Sequence, residues 1–351
     1  MKISDFDYGL PEDLVAQAPV TPRDASRLLV LPASGPLEHR RFADLPELLR
    51  PGDLLVLNDT RVIPARLVGR KATGGRVEIL LCEPLEGGLG RRWRALGQAS
   101  KPIREGSVLS FDGLEARVER AEGDGFLVVA LDREGPELEA ALARAGRVPL
   151  PPYVRREPTE EDRERYQTIW AAAPGSAAAP TAGLHFTAPL LDRLSERGVE
   201  RTAVTLHVGP GTFLPVRAES LDEHRLHAER YEVPPEAARA FAAARARGGR
   251  VVAVGTTAVR TLESAFEGGD LRAGAGRTEL FVRPGHPFRA VDLLVTNFHL
   301  PRSTLLVLAC AFGGRERVLA AYREAVRLRY RFFSYGDAML LGRPGSASPV
   351  L

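Results

Sequence analysis

The sequence predicts a mixed α/β protein in which a larger α/β domain carries an inserted small β-barrel domain. Helical and strand patterns alternate before residue 61 and after residue 148, whereas residues 61–148 contain short strands separated by glycine turns. The length of 351 residues also exceeds that of a usual single domain. We therefore expect a discontinuous α/β domain, formed by residues 1–60 and 149–351, with the barrel domain at 61–148.

The composition is typical of a globular protein, with 44% hydrophobic and 26% charged residues. A net charge of +3 permits a nucleic-acid partner without requiring one. All but three of the 48 basic residues are arginines, which suit phosphate and carboxylate contacts. A GC-rich or heat-adapted genome explains the same bias.

The two cysteines, Cys82 and Cys310, are far apart and form no CxxC pair, so neither a disulfide nor a zinc site is expected. The first fifteen residues lack the apolar stretch of a signal peptide, and no run reaches the ~20 apolar residues of a membrane span. We expect a cytoplasmic protein.

The first segment contains a strand at residues 27–31 and a short helix at 44–49 with Asp44 as its cap. A second strand at 54–57 delivers Asn58 and its neighbours to a carboxyl end, the side on which open α/β sheets bind ligands. Glycine turns then separate the strands of the expected barrel, at residues 62–70, 76–82, 92–96, 108–111, 114–120 and 126–131.

After a proline-rich connector at 150–153, a helix capped by Thr159 begins a run of alternating helices and strands. Ser303 is expected to cap one of the later helices. The remaining helices are predicted at 189–197, 235–247, 304–311 and 316–328. The strands are predicted at 200–206, 251–254, 293–296 and 330–341.

Two of these strands end in polar groups. Gly255 and the two threonines after it open a helix, so their backbone amides and Arg260 suit an anion, although a capped turn with a surface arginine fits equally. Asn297 and His299 follow the strand at 293–296, where the alternative for His299 is a structural role.

Other motifs are less specific. The GxG at Gly209 precedes Phe213 and Pro215 rather than a helix, which excludes a Rossmann site but allows close backbone approach by a ligand. His224 and His227 are spaced for a shared metal, yet a third ligand is missing, so we expect no metal. The arginines from Arg315 to Arg331 suit either RNA phosphates or a solvated helix face.

The sequence contains no GxSxG elbow, Walker loop or catalytic cysteine signature. The stretch at 179–217 concentrates polar chemistry and includes His185 and His207. From the residues alone, we expect an enzyme of unspecified reaction with histidine, arginine, asparagine and aspartate gathered at one sheet edge.

Seven blocks read together closely resemble the S-adenosylmethionine:tRNA ribosyltransferase-isomerase family of queuosine biosynthesis, over nearly the whole chain. The blocks are NDTRVIPAR (58–66), LPPY (150–153), PTAGLHF (180–186), TLHVGPGTF (205–213), GTTAVR (255–260), TNFHLP (296–301) and RFFSYGD (331–337).

The resemblance implies transfer and isomerisation of the ribosyl group of S-adenosylmethionine onto 7-aminomethyl-7-deazaguanine at the tRNA wobble position. The products would be epoxyqueuosine-tRNA, adenine and methionine. It also implies an α/β domain plus a β-barrel. S-adenosylmethionine is then a co-substrate, no cofactor is permanently bound, and the partner is a modified tRNA. A membrane partner is not expected, and the protein is expected to be a monomer.

This chemistry needs an acid and a base, because a sulfonium acidifies the neighbouring ribose 5′ hydrogens. Histidine suits both roles near neutral pH. The expected catalytic residues are His185, His207, His299 and Asp337. The expected S-adenosylmethionine-binding residues are Thr181, Gly209, Gly211, Thr212, Arg217, Thr256, Thr257, Arg260 and Asn297. Aromatic stacking is expected from Phe213, Phe298 and Phe332. The alternatives are an S-adenosylmethionine-dependent RNA methyltransferase and a non-catalytic tRNA-binding protein.

Overall fold

The structure is a computed structural model that describes residues 1–86, 88–209 and 218–345. The strands are β1 Arg27–Leu31, β2 Glu38–Arg41, β3 Leu54–Asn58, β4 Thr60–Val62, β5 Arg66–Lys71, β6 Arg76–Pro84, β7 Arg92–Ala99, β8 Val108–Phe111, β9 Leu114–Gly123, β10 Phe126–Leu131, β11 Gly146–Arg147, β12 Ala173–Ser176, β13 Glu200–Leu206, β14 Glu229–Val233, β15 Val251–Val254, β16 Phe266–Glu267, β17 Asp270–Leu271, β18 Gly274–Thr278, β19 Leu293–Asn297 and β20 Ala338–Gly342. The helices are α1 Leu45–Leu48, α2 Gly135–Ala145, α3 Asp162–Arg165, α4 Ala188–Glu196, α5 Pro235–Ala246, α6 Thr256–Ala265, α7 Thr304–Gly313 and α8 Arg315–Arg327.

A nine-stranded sheet forms the larger layer, in the order β18-β14-β13-β3-β15-β19-β20-β1-β2. Its four central strands β13, β3, β15 and β19 run parallel to their neighbours in that group. Antiparallel pairs flank them at β14 on one side and β20 on the other. The carboxyl ends of the four parallel strands therefore meet at one edge.

Strands β3, β15 and β19 are buried along their whole length, which explains their largely apolar sequences. In β3, Leu54 and Val56 belong to the core on one face, which α5 to α8 also enter. Leu55 and Leu57 belong to the core on the opposite face, together with residues of α1 and α4. The alternation fixes which side chains pack on each face of the sheet.

The second large sheet closes into a six-stranded barrel, because β8 pairs back onto β5 in the order β5-β6-β7-β10-β9-β8. Short β11 adds to the outside of β5. The barrel interior packs Trp93, Ile79 and Val129 without solvent exposure. The predicted fold class, an α/β layer with a small β-barrel, is confirmed.

Several elements differ from the sequence prediction, including the strand predicted at 62–70, which is split into β4 and β5, and unpredicted strands such as β2 and β14. Helix α2 was not expected, although Leu138, Ala141 and Leu142 follow helical spacing and pack into the barrel core. The strand predicted at 330–341 is wrong over its first part, since only Ala338–Gly342 is a strand. Before it the chain turns, and Phe333 adopts a left-handed backbone with φ of 70°.

No helix within residues 1–86, 88–209 and 218–345 is long and apolar enough to cross a membrane.

Candidate active site

The four parallel strands bring polar residues to a common edge. Asn58 ends β3 and Asn297 ends β19, while His207 directly follows β13. Gly255 follows β15 and begins the turn into α6, with φ of 91°. Residues from distant parts of the chain are thus neighbours at this edge.

A cleft of about 330 Å³ opens at this edge. The α6 start, the β19 terminus, the turn at Thr181–His185 and the turn before β20 contribute to its wall. The expected site residues that line it are Thr181, Thr256, Thr257, Asn297 and His299. Most of the other lining groups are apolar, as is usual for a ligand site with a few convergent polar groups.

Asn297 joins three parts of the wall. Its Oδ1 accepts from Thr181 Oγ1 at 2.9 Å, and its Nδ2 donates to the Phe333 carbonyl at 3.2 Å and to His185 Nε2 at 3.0 Å. A carbonyl only accepts, so the contact with Phe333 fixes the orientation of the Asn297 amide. Asn297 is therefore rigidly held with all of these groups engaged.

His185 lies behind Asn297 rather than in the cleft lining. Because Nε2 accepts from Asn297, the ring proton lies on Nδ1 and is donated to Ser26 Oγ at 2.8 Å. The ring also stacks on Phe42 at 4.9 Å. Burial, followed by the charges of Arg23 and Arg331, lowers the His185 pKa to about 3, so the ring is neutral.

His299 lines the cleft directly. Its Nε2 lies 2.8 Å from Thr296 Oγ1, and its backbone carbonyl accepts from the Tyr8 hydroxyl. Burial lowers the pKa of His299 to about 3. The imidazole is thus a neutral hydrogen-bonding group at the cleft wall.

His207 stands at the end of β13, beside the cleft residue Val208. Thr60 Oγ1 lies 3.1 Å from its Nδ1, while Nε2 makes no hydrogen bond within the described residues. Burial, and next the charge of Arg230, lowers the pKa of this half-buried ring. His207 also borders a smaller cavity of about 40 Å³ that adjoins Gly209.

Arg260 lines this smaller cavity and does not line the main cleft. Its Nη1 is paired with buried Glu229, whose other oxygen accepts from the Gly209 amide at 2.9 Å. Arg260 Nε donates to the Leu280 carbonyl at 3.1 Å. Arg260 thus clamps a protein carboxylate and supports the segment after His207. Its Nη2 is buried and has no partner among the described residues.

The start of α6 provides amides that lack intrahelical partners, next to the cleft residues Thr256 and Thr257. Asn58 holds this end in place by donating to the Leu206 carbonyl and to Thr257 Oγ1. This is the turn that the sequence suggested as an anion site, a role that stays a prediction, and Asn58 is an additional positioning group.

Asp337 is buried, and among the described residues its hydrogen-bond partners include none of the three histidine rings. Its oxygens accept from the backbone amides of Arg27 at 2.9 Å and Arg331 at 2.7 Å, and they pair with the Arg27 guanidinium. These contacts fold the turn before β20. In this geometry Asp337 shapes the cleft wall, and its expected acid role remains a prediction.

The cleft contains aromatic groups beyond those expected. Phe298 and Phe332 are fully buried and pack against each other at 4.9 Å, and Phe298 also lines the cleft, so the expected stacking role of these rings stays a prediction. In addition, Tyr153 stacks on Phe333 at 4.5 Å, and both residues line the cleft. The LPPY block and the aromatic run were visible in the sequence, but their pairing was not.

Four expected residues, Gly211, Thr212, Phe213 and Arg217, lie outside the described residues. The histidines weighed as a metal pair, His224 and His227, do not share a helix and pack on different rings, Phe281 and Phe126. Within the described part of the chain, no three histidine, cysteine or acidic side chains are grouped to hold a metal.

Known proteins resemble this chain along its length. The family described as Queuosine biosynthesis protein matches residues 3–341. The S-adenosylmethionine:tRNA ribosyltransferase-isomerase of Anaeromyxobacter sp. (strain Fw109-5) is 78% identical over 98% of this chain and 99% of its own. The Symbiobacterium thermophilum protein of the same name is 56% identical over 97% of this chain and 100% of its own.

A solved structure agrees with these relatives. The crystal structure of S-adenosylmethionine tRNA ribosyltransferase from Thermotoga maritima is 41% identical and covers 96% of this chain and 99% of its own, with a TM-score of 0.55. The predicted resemblance is confirmed, and the chain belongs to the queuosine biosynthesis protein family.

Proposed function

We propose that this protein transfers and isomerises the ribosyl group of S-adenosylmethionine onto 7-aminomethyl-7-deazaguanine at the wobble position of tRNA. Epoxyqueuosine-tRNA, adenine and methionine are the products. Relatives that are 78% to 56% identical over nearly the whole chain carry the name of this activity.

One observation supports this site for the proposed activity. All seven sequence blocks contribute residues at the sheet edge formed by the carboxyl ends of the parallel strands. Asn58, Tyr153 and Thr181 represent the first three blocks there. The other four blocks contribute His207 with Val208, the turn at 255–257, the segment at 296–300, and Phe333 with Ser334. A ligand in the cleft would touch groups from most of these blocks at once.

We assign the general base to His207. It combines an unengaged Nε2 with a position at a strand end, and Thr60 orients the opposite nitrogen. Its lowered pKa keeps the ring neutral and able to take a proton from the ribose 5′ carbon beside the sulfonium. His299 lines the main cleft, while His185 positions Asn297.

The amides at the start of α6 would hold the carboxylate oxygens of S-adenosylmethionine, while Asn297 Oδ1 and Thr181 Oγ1 keep acceptor capacity for a substrate hydroxyl. Tyr153 and Phe333 form an aromatic wall suited to a planar base. Arg260 supports Gly209 through Glu229, and its remaining Nη2 donor is available to a carboxylate at the smaller cavity.

The protein uses S-adenosylmethionine as a co-substrate and needs no permanently bound cofactor or metal. Activity should survive exhaustive chelation, whereas loss on chelation with rescue by zinc would contradict this assignment. A tRNA substrate implies action in the cytoplasm. We also propose a monomer, because charged Glu38, Arg40 and Arg41 on edge strand β2 disfavour strand pairing with a second copy.

Product analysis tests the function. The protein is incubated with S-adenosylmethionine and a tRNA bearing 7-aminomethyl-7-deazaguanine, and small molecules are separated by chromatography. We expect equal amounts of adenine and methionine. S-adenosylhomocysteine would instead indicate an RNA methyltransferase, and no turnover would indicate a tRNA-binding protein.

A further inference from the structure

Three arginines from separate segments meet on the surface beside the turn before β20. Arg23 precedes β1, Arg165 ends α3, and Arg331 begins the RFFSYGD block. All three are partly exposed. We call Arg23, Arg165 and Arg331 the arginine cluster.

Neutral oxygens of backbone carbonyls and of a threonine hydroxyl, rather than carboxylates, hold these side chains. Arg23 Nε donates to the Leu184 carbonyl at 2.7 Å. Arg331 Nη2 donates to the Ala18 carbonyl. Arg165 Nη2 donates to Thr21 Oγ1 at 2.8 Å. Neutral acceptors orient the guanidinium groups without neutralising them, so the positive charge of each remains available.

The cluster is unusually poor in counter-charges. Neighbouring arginines have close partners: Arg156 lies 2.6 Å from Asp162, and Arg155 lies 2.8 Å from Glu12. Among the described residues, the arginine cluster forms its ion pair between Arg165 Nη1 and Oε2 of exposed Glu161, which are 3.9 Å apart. Asp337 is near Arg331, but its oxygens are occupied by Arg27 and backbone amides.

The three arginines lie close enough to repel one another. Burial, together with the charges of Arg165 and Arg331 and against an opposing effect of Tyr335, lowers the pKa of Arg23 to about 10. Arg23 Nη1 is also buried without a hydrogen-bond partner among the described residues. Uncompensated like charges destabilise a fold, and they commonly mark the binding site of an opposite charge.

The cluster lies next to the cleft wall. The Leu184 carbonyl that binds Arg23 belongs to the turn whose first residue, Thr181, lines the cleft. Arg331 is two residues before Phe333, which lines the cleft from the other side. An anion at the cluster is therefore close in structure to a substrate held in the cleft.

We propose that the arginine cluster binds backbone phosphates of the tRNA substrate next to the nucleotide that enters the cleft. This inference rests on the proposed function, since it assigns the RNA contacts of the same site. Phosphodiesters match the planar donor sets of arginine, and two or more guanidinium groups here would engage consecutive phosphates.

The test compares tRNA affinity across salt concentrations for the double variant Arg165→Gln with Arg331→Gln. Loss of two phosphate contacts should reduce the slope of log affinity against log salt by about 1.5. Affinity near ~150 mM salt should fall roughly tenfold or more. The matched control is Arg323→Gln with Arg327→Gln, which removes the same charge from α8, where Arg327 already pairs with Glu324.

A change in slope confined to the cluster variant supports the proposal. Equal slopes in wild type and the cluster variant, or equal loss in both double variants, would overturn it. The double variant Arg165→Lys with Arg331→Lys keeps both positive charges and should retain most of the slope. Its retained slope would show that the Gln variant loses binding through charge rather than through misfolding. Binding is measured without S-adenosylmethionine and therefore does not depend on turnover. A separate measurement tests the proposed function, which absence of adenine release by the wild-type protein would contradict.

Discussion

At the residue scale, the three histidines of the site differ in what their ring nitrogens contact. Both nitrogens of His185 are hydrogen-bonded inside the protein. His299 shares one nitrogen with Thr296, and His207 shares one with Thr60. His207 is also the least buried of the three. A base needs a nitrogen free to approach substrate, and this favours His207 over His185.

Replacing His207 should therefore stop chemistry while leaving RNA binding intact. We expect His207→Ala to lower turnover by on the order of a hundredfold or more, the usual contribution of general acid–base catalysis. Affinity for tRNA should be unchanged. The control is His39→Ala on edge strand β2, which should retain full turnover. Comparable rates for the two variants would remove His207 as the base.

The buried histidines also predict how stability changes with pH. The pKa of His185 and of His299 falls from 6.5 to about 3 on folding. Between these values the unfolded chain binds protons that the folded chain does not. The free energy of unfolding contributed by each is therefore complete above pH 6.5 and decreases as pH falls, by up to about 1.4 kcal/mol per pH unit.

Urea denaturation between pH 7 and pH 5 measures this dependence. The variant His185→Gln removes one titrating ring, so its stability should decrease less steeply with falling pH than that of wild type. Identical steepness in the two proteins would show that His185 takes up its proton equally in the folded and unfolded states.

At the element scale, local patterns predicted most strands because their reasons are local. Strand β3 is an apolar run between a proline-glycine turn and Asn58, and it was predicted to within one residue. The turn before β20 was not, because the aromatic residues at 330–333 favour a strand. Asp337 bends this segment by accepting from the Arg331 amide, and Asn297 holds it from a distant part of the chain by donating to the Phe333 carbonyl.

The same limit applies to the site. Strand-end positions predicted that Asn297 and His299 would reach the cleft wall, as they do. No spacing rule indicates that Ser26 holds the ring of His185, or that Glu229 joins Arg260 to Gly209. These contacts depend on which strands are neighbours in the sheet, which the periodicity of one segment does not contain.

Closure of the barrel depends on the pairing of β5 with β8, and a substitution at this pair should lower the stability of the protein. An added Cβ at Gly69 on β5 would lie 2.2 Å from the Ser110 carbonyl oxygen on β8. Gly69→Ala should therefore weaken the closing pair and lower the free energy of unfolding by roughly 2–3 kcal/mol in urea denaturation. The control Gly75→Ala meets the flexible end of Lys71 at 3.3 Å and Thr73 Oγ1 at an ordinary 3.9 Å. Equal stabilities of the two variants would contradict closure of the barrel through β5 and β8.

At the scale of the whole molecule, the barrel strands β5–β10 fall within one continuous segment, while the nine-stranded sheet uses strands from both sides of it. The division into residues 1–60 with 149–351 and an insert at 61–148 stays a prediction. This layout lets the sheet assemble the cleft from chain segments far apart in sequence, which is why family resemblance was more informative than any single motif.

The most direct test of the central claim follows two labels of S-adenosylmethionine, one in the ribose and one in the methyl group, into the modified tRNA. Wild type should incorporate the ribose label, with one adenine released for each, and no methyl label. His207→Ala should transfer the ribose label more slowly by on the order of a hundredfold or more while still binding tRNA. Incorporation of the methyl label, or undiminished ribose transfer by His207→Ala, would contradict ribosyl transfer with His207 as the base.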